Sequence, residues 1–486
     1  MGIITGADYL ARLRDDREIW LDGERVKDVT THPAFRNTAR TLARLYDLQH
    51  DPAYRDVLTV PGPNGDRIGT SFIQPRSVED LVKRREMVYT WAIETCGMMG
   101  RSPDFLNVNL AAYAAARDYF AAVDSRFGDN VVRYWAFARD NDLCLTHTLI
   151  NPQANRSRGV HEQADPFLAA GVVAERDNGL LIRGARMLAT LAPFSDEIAV
   201  FPSTFLQNAP EALKYSFAFA IPIATPGLKF ICRESFDLGR SHFDHPLGSR
   251  YEEMDAVVVF DDVLVPWERV FLYGSVPAAN GLFRDTQAIT HLIHQFGTKE
   301  IAKTEFILGV ALLMTEAIAV EGFPHVQEKL AEIINYVEII RSCIRAAEAD
   351  AVPGPGGTVV PAAEPLNSLR HYYPVVYPRL IEILQLLGAS GLMATPTERD
   401  VSGPLAGTID RYFQAARSEA RDRIQLFRLA WDIACSSFGS RQVLYERFFS
   451  GDPVRLLAMR YQTYPRKDDL KQRVARFLAA GRPVEA

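Results

Sequence analysis

Cysteine is scarce in this chain: five in 486 residues, Cys96, Cys144, Cys232, Cys343 and Cys435, with no C-x-x-C pair among them. That scatter excludes a disulfide-framed scaffold, argues against a thiolate metal site, and fits reduced thiols that fill core positions. A surplus of positive charge is missing too. Lys and Arg total 54 against 60 Asp and Glu, interleaved throughout for a net charge of −6, so no basic stripe marks a nucleic-acid surface. No stretch reaches 18 uninterrupted apolar residues, and "MGIITGADYLARLRDDREIW" has no basic segment followed by an apolar one, so the expectation is a cytoplasmic protein without a membrane span. Neither a G-x-G-x-x-G turn between strand and helix nor a G-x-x-x-x-G-K-[ST] loop is found, which leaves no fingerprint for a nicotinamide or nucleoside triphosphate site. Internal repeats are also lacking. What is present is ordinary globular material, 48% hydrophobic and 23% charged, in a chain long enough for two to four packed units.

Three regions differ in period. Up to residue 142 the pattern is helical: "TGADYLARLRDD" opens on a threonine cap, "HPAFRNTARTLARLYDLQHD" keeps helical spacing, and "SVEDLVKRREMVYTWAIETCGMM" begins with a Ser-x-x-Asp variant of the capping box before turning apolar all round. From 143 to 275 short β-branched and aromatic runs alternate with turns, which predicts an all-β unit. Within it "VVAERDNGLLIRG" predicts a hairpin with Asn178-Gly179 at the positive φ angles of a type I′ turn. From 276 to 486 four long helical runs predict an antiparallel bundle, the last of them "IDRYFQAARSEARDRIQLFRLAWDIACSSFG", and "VPGPGGTVVPAAEP" (352–365) reads as a flexible connection. A β unit between two helical ones creates inter-domain crevices, where cofactor sites tend to form.

"GRSPDFLNVN" (100–109) sets an arginine and an aspartate around a Ser-Pro turn just after a buried helix. On chemistry alone Arg101 either pairs with Asp104 or waits for an outside anion. His291 and His294 stand three apart on one helix face, but with no nearby thiolate or carboxylate ligand they make a weak metal signal, and no metal is expected.

Five ordered stretches, "RSPDF" (101–105), "LTHTLINPQANR" (145–156), "FDDVLVPWERVF" (260–271), "HQFGTKEIAKTEFILG" (294–309) and "FGSRQVLYERFFSGDP" (438–453), resemble the oxygenase component of the two-component, flavin-dependent phenol hydroxylases, the family of 4-hydroxyphenylacetate 3-monooxygenase and the chlorophenol 4-monooxygenases. The resemblance spans essentially the whole chain. It implies an α+β, acyl-CoA-dehydrogenase-like fold with an N-terminal helical domain (1–142), a central β-barrel (143–275) and a C-terminal four-helix bundle with a tail (276–486), assembled as a homotetramer. It implies reduced FAD (FADH2) from a separate NAD(P)H:flavin reductase, O2 as co-substrate, and transfer of the distal oxygen of a C4a-hydroperoxyflavin to a small phenol; the residues themselves leave FAD against FMN open.

The same resemblance implies roles. Arg101 would hold the substrate as phenolate, since a guanidinium favours the charged form. His147 would hydrogen-bond near the flavin peroxide or the substrate oxygen. Either His294 or His291 would be the base that deprotonates the phenol. Phe105 and Phe449 would line the substrate, and Gln153, Arg156, Thr190, Arg441 and Phe448 the flavin. Phe105 departs from the tyrosine common in the 4-hydroxyphenylacetate branch, which shifts the expected substrate to another phenol, chlorinated or nitrated and losing that substituent. 4-Hydroxyphenylacetate or another para-substituted phenol is the alternative, and an acyl-CoA dehydrogenase-type flavoenzyme the remote one. 4-Hydroxybutyryl-CoA dehydratase is disfavoured, because 295–305 holds no cysteine for a cluster.

Overall fold

The computed structural model describes residues 2–480 except 203, 204 and 238. The N-terminal helices form where their caps direct. Helix α1 (Gly6–Arg12) begins at Thr5, whose side chain accepts from the Asp8 amide at 3.2 Å while the Asp8 carboxylate accepts from the Thr5 amide at 3.0 Å, a complete capping box. Helix α2 spans Arg36–Leu48 and α3 Val78–Glu94. At α3 only half of the expected box is made: Ser77 Oγ accepts from the Asp80 amide, but the Asp80 carboxylate turns to the Arg76 amide instead of that of Ser77. Helices α4 (Asp104–Ala115) and α5 (Ser125–Asp140) complete this layer.

The chain up to residue 142 is not all helical. Strands β1 (Glu18–Leu21) and β2 (Glu24–Val26) form a hairpin that leaves the helices and joins the central sheet. After a separate small hairpin of Thr59–Pro61 and Arg67–Gly69, the strands that complete the two large sheets are β3 (Leu145–Thr148), β4 (Gly171–Arg176), β5 (Gly179–Thr190), β6 (Glu197–Val200), β7 (Phe217–Pro222), β8 (Leu228–Cys232), β9 (Asp255–Pro266) and β10 (Val270–Tyr273). They make a six-stranded sheet in the order β2-β1-β8-β9-β5-β4 and a four-stranded sheet in the order β10-β7-β6-β3. β1 runs parallel to β8, with Ile19 opposite Phe230, so the hairpin extends the sheet at one edge. An antiparallel bridge between Ile150 and Met187 ties the end of β3 to β5, and register shifts in β9 bend it along β5.

The β4–β5 hairpin sits one residue before its expected place. Arg176 pairs with Gly179, so Asp177 and Asn178 make the turn, and neither takes a positive φ. Gly179 opens β5 and is needed for a different reason: a Cβ there would overlap the Val265 carbonyl of β9.

Helix α6 (Ala288–Ala317) is 30 residues, about 45 Å long. It is apolar nearly all round and accordingly runs through the middle of the molecule, packed by α3 and α4 on one side and by α7 (Pro324–Ala349) and α8 (Ala363–Met393) on the other. The fourth bundle helix is shorter than its pattern suggested: α9 begins at Ala420, after a break that follows Tyr412. Helices α10 (Ser437–Phe448), α11 (Pro453–Thr463) and α12 (Lys467–Ala480) end the described chain. The segment 352–365 is held rather than loose. Val352–Pro353 and Val359–Val360 pair, the Val359 amide donates to Pro75 O, and Arg76 donates to Gly356 O. Among the described residues α8 is the one helix long and apolar enough to cross a membrane; here it packs against α6, α7, α9 and α10, and Ala389 breaks its helical angles.

Candidate functional site

After α3 the chain must cross α6 closely. Gly97, at φ 66°, lies against Lys303 so tightly that a Cβ would meet its backbone, and Gly100 lies under the phenol ring of Tyr445, where a Cβ would overlap that ring. This brings Arg101 between α4 and α10. Its amide donates to Glu253 Oε1 at 2.6 Å, and its guanidinium carbon stands 4.1 Å above the Phe105 ring, 5.2 Å from that of Tyr445 and 5.3 Å from that of Phe449. Nη1 donates to the Gly100 carbonyl and to the Tyr445 hydroxyl.

The side chain is buried, yet among the described residues no carboxylate lies within ion-pair distance of it. Asp104 is not its partner. That carboxylate, buried and pushed up to about 6 by burial, accepts from Gln295 Nε2 at 2.6 Å, and its other oxygen is unpartnered.

His147 on β3 stacks on Phe105 (5.6 Å between centroids, 21° between planes) and neighbours Phe201 at 6.2 Å. Burial, and secondarily the Arg101 charge, hold its imidazole well below the usual histidine range, so it is neutral at physiological pH, with an unpartnered Nδ1. The two helix histidines lie elsewhere. His291 Nδ1 accepts from Arg84 Nη2 at 2.9 Å and lines a small internal cavity of about 10 Å³ with Gln74, Ala111 and Thr358. His294, fully buried, makes a 2.8 Å hydrogen bond to Glu348 Oε1, which Arg85 also holds, and so ties α6 to α7 and α3. The structure brings Arg101, Phe105, His147 and Phe449 together and leaves both helix histidines outside that group.

Beneath the rings lies a buried ionic network. Lys299 and Lys303, one turn apart on α6, both donate to Glu446 Oε1 on α10, at 2.6 and 2.7 Å, and Lys303 also donates to Gln442 Oε1. Burial lowers Lys303 to about 8, while burial, against the pull of Lys299 and with the help of Glu446, pushes Glu300 beside the pair up from the usual carboxylate range. Arg441 clamps Asp255 with two bonds (3.0 and 2.7 Å) and Glu253 Oε2 with a third (2.8 Å). Thr190 donates to Asp255 as well, at 2.6 Å, and Arg233 bridges Asp255 and Glu252. Around this junction Leu188, Leu191 and Met254 take φ of 67°, 74° and 53°, a concentration of left-handed backbone that costs of order 1–3 kcal/mol per residue and that the network holds in place.

Of the residues expected at a flavin, Arg441 and Thr190 are therefore spent on protein carboxylates. Gln153 and Arg156 are exposed between β3 and β4, with no partner among the described residues, and Phe448 is half exposed at the end of α10.

Residues 5–272 match the family described as 4-hydroxyphenylacetate 3-hydroxylase N terminal, and residues 279–479 match its C-terminal counterpart. The chain belongs to the 4-hydroxyphenylacetate 3-hydroxylase family. The 4-hydroxyphenylacetate 3-monooxygenase oxygenase component of Thermus thermophilus is 50% identical over 98% of this chain and 97% of its own. A crystal structure of such an oxygenase component complexed with FAD and 4-hydroxyphenylacetate superimposes with a TM-score of 0.94 at 49% identity, covering 98% of each chain. More distant is the oxygenase component of 4-nitrophenol 2-monooxygenase from a Rhodococcus species, 35% identical over 95% of this chain and 88% of its own. The fold of these oxygenase components and the assignment as a flavin-dependent aromatic monooxygenase accordingly stand. The preference for a chlorinated or nitrated phenol does not carry over, because the nearer relatives are named for 4-hydroxyphenylacetate and the nitrophenol relative is the farther one.

Tyr445, Glu253, Lys299, Lys303 and Glu446 are the members of this cluster that sequence reasoning passed over. Two lysines four apart on a largely apolar helix were the available signal, since buried ammonium groups demand a carboxylate. For His294 the geometry gives a definite expectation. His294→Ala should lower stability by about 1–3 kcal/mol through the lost bond to Glu348, and leave hydroxylation by the folded protein unchanged. Denaturant unfolding and turnover measured together check this, and a loss of turnover relieved at high pH would return His294 to the role of base.

Proposed function

We propose that this chain is the oxygenase component that hydroxylates a para-substituted phenol of the 4-hydroxyphenylacetate type, using reduced FAD delivered by a separate NAD(P)H:flavin reductase together with O2. One observation carries the reading: a buried guanidinium without a carboxylate, ringed by three aromatic side chains. The surrounding charges support it. Lys299 and Lys303 share Glu446, Arg441 holds Asp255 and Glu253, and Arg233 holds Asp255 and Glu252, so Arg101 is the one of these cations whose side chain has no counter-charge. A phenolate oxygen supplies that charge, and its ring suits an aromatic lining.

The free donors of the chain fit FAD. Gln153 and Arg156 have unengaged amide and guanidinium donors suited to a ring edge and a diphosphate, and Phe448 offers an exposed apolar face. When bound, reduced FAD with O2 supplies the electrophilic oxygen. The chain's own residues do the rest. Arg101 lowers the cost of ionising the phenol and fixes its oxygen; neutral His147 presents an imidazole nitrogen beside Phe105; Phe105, Phe201 and Phe449 exclude water. Thr190 and Arg441 act by holding Asp255 and Glu253, and through Glu253 the Arg101 backbone.

The relatives' designation as oxygenase components supports the separate reductase. The exposed stripes Val454, Leu457 and Tyr461 on α11 and Val474, Phe477 and Leu478 on α12 support burial against further copies in a homotetramer. The function is tested by supplying chemically reduced FAD, 18O2 and 4-hydroxyphenylacetate and following the product by mass. One labelled oxygen on the ring is expected, with kcat/KM above that for chlorophenols and nitrophenols. Oxidation of the flavin to peroxide with no labelled phenol in the whole panel overturns the proposal.

A further inference from the structure

We infer that the Tyr445 hydroxyl is a second donor at the anion site, taking a hydrogen bond from Arg101 and directing its own proton to the phenolate oxygen of the substrate. This rests on the proposed role of Arg101 and extends it. A guanidinium has donors and no acceptor, so in the contact between Arg101 Nη1 and Tyr445 the hydroxyl must be the acceptor. Its hydrogen is then unspent, and no other partner for it exists among the described residues.

Tyr445 is a dependable donor because it stays protonated. Burial raises its phenol well above the ordinary tyrosine range, with Glu253 and Glu446 acting in the same sense and Arg101 and Arg441 against it. It is also rigid. The ring stacks on Phe449 at 4.8 Å and 3°, rests on Gly100, which has no Cβ to displace it, and lies within 5.7 Å of the Lys299 ammonium and 4.7 Å of the Arg441 guanidinium. Phe105, across the guanidinium, contributes a face and no donor. Arg101 and Tyr445 thus form a two-donor hole for one oxygen anion, built from the N-terminal turn and the C-terminal helix α10.

The test uses 4-nitrophenol, coloured as its anion and pale as its acid, bound to the folded oxygenase with oxidised FAD under anaerobic conditions and titrated by absorbance. In the wild type the bound probe should ionise at lower pH than the free phenol. Tyr445→Phe should move that ionisation back up by about one unit or more, at least a tenfold change in the acid–anion ratio, and Arg101→Ala should return it to the free value. A Tyr445→Phe protein that ionises the probe as the wild type does, while Arg101→Ala does not, reduces Tyr445 to packing and overturns the inference alone. Wild type and Arg101→Ala both at the free value overturn the Arg101 reading and this one with it. Should Tyr445→Phe not fold, Tyr445→His keeps a ring N–H: a bound ionisation near the wild-type value supports the second donor, and the free value overturns it.

Discussion

Arg101→Ala should lower kcat/KM for phenol hydroxylation by about 10²–10³-fold, the usual cost of removing a preorganised donor from a developing or bound oxyanion. The guanidinium is the buried cation of this site without a carboxylate, so its loss leaves no unpaired protein charge behind. Flavin consumption should continue, with peroxide replacing product, because the ring no longer presents as phenolate. The defect should shrink as pH rises. A simple phenol ionises unaided near pH 10, so the variant should gain about tenfold per pH unit below that value while the wild type changes little. His147 adds no inflection of its own near neutrality, since burial keeps it unprotonated there. Product and peroxide quantified from pH 6.5 to 10 check these points. Equal loss of flavin affinity and hydroxylation, with no recovery at high pH, would transfer Arg101 to flavin binding or to structure.

Glu446→Ala should be the most damaging single change to stability, at about 3–5 kcal/mol, the cost of stripping a buried pair of its counter-charge. Its one oxygen, Oε1, serves both Lys299 and Lys303, and all three side chains are buried. The pH dependence has a definite sign. Lys303 already titrates at about 8 when folded, below its unfolded value near 10.5, so the unfolded state binds more protons between those limits and stability rises with pH there. Without Glu446 the two ammonium groups repel in a buried site, the folded value falls further, and the window over which stability recovers opens at lower pH. Urea unfolding of wild type and variant from pH 7 to 10 measures both effects. A variant within 1 kcal/mol of the wild type, with the same pH slope, would mean that water reaches the cluster.

How far the chain could be read without its structure depends on the distance over which each feature is decided. Thr5 and Asp8 are three residues apart, so a capping box is visible in the string and forms as written. The same holds for the strand-rich middle, whose period of two is a local property. The β1–β2 hairpin was missed because strands of four and three residues carry almost no period, and what stabilises them is a pairing with β8 more than 200 residues away. The β4–β5 turn moved by one residue because close approach of β9 to Gly179, and not the turn itself, requires that glycine. His294 illustrates the limit for a site. On a helix apolar all round the sequence offers no favoured face, and the orientation toward Glu348 is chosen by α7, 54 residues on.

Residue order alone determined the fold class, the α1 helix cap and, through five ordered motifs, the phenol-hydroxylase resemblance and the arginine that anchors it. These are properties of short windows, or of composition, and short windows suffice to express them. Tertiary structure alone decided that Arg101 has no carboxylate, that Tyr445 meets it from 344 residues away, and that Glu446 bridges two lysines 143 and 147 residues distant. Charge compensation in a low-dielectric interior depends on which groups are adjacent in space. Adjacency of that kind is set by the packing of α6 against α10, and no local pattern encodes it.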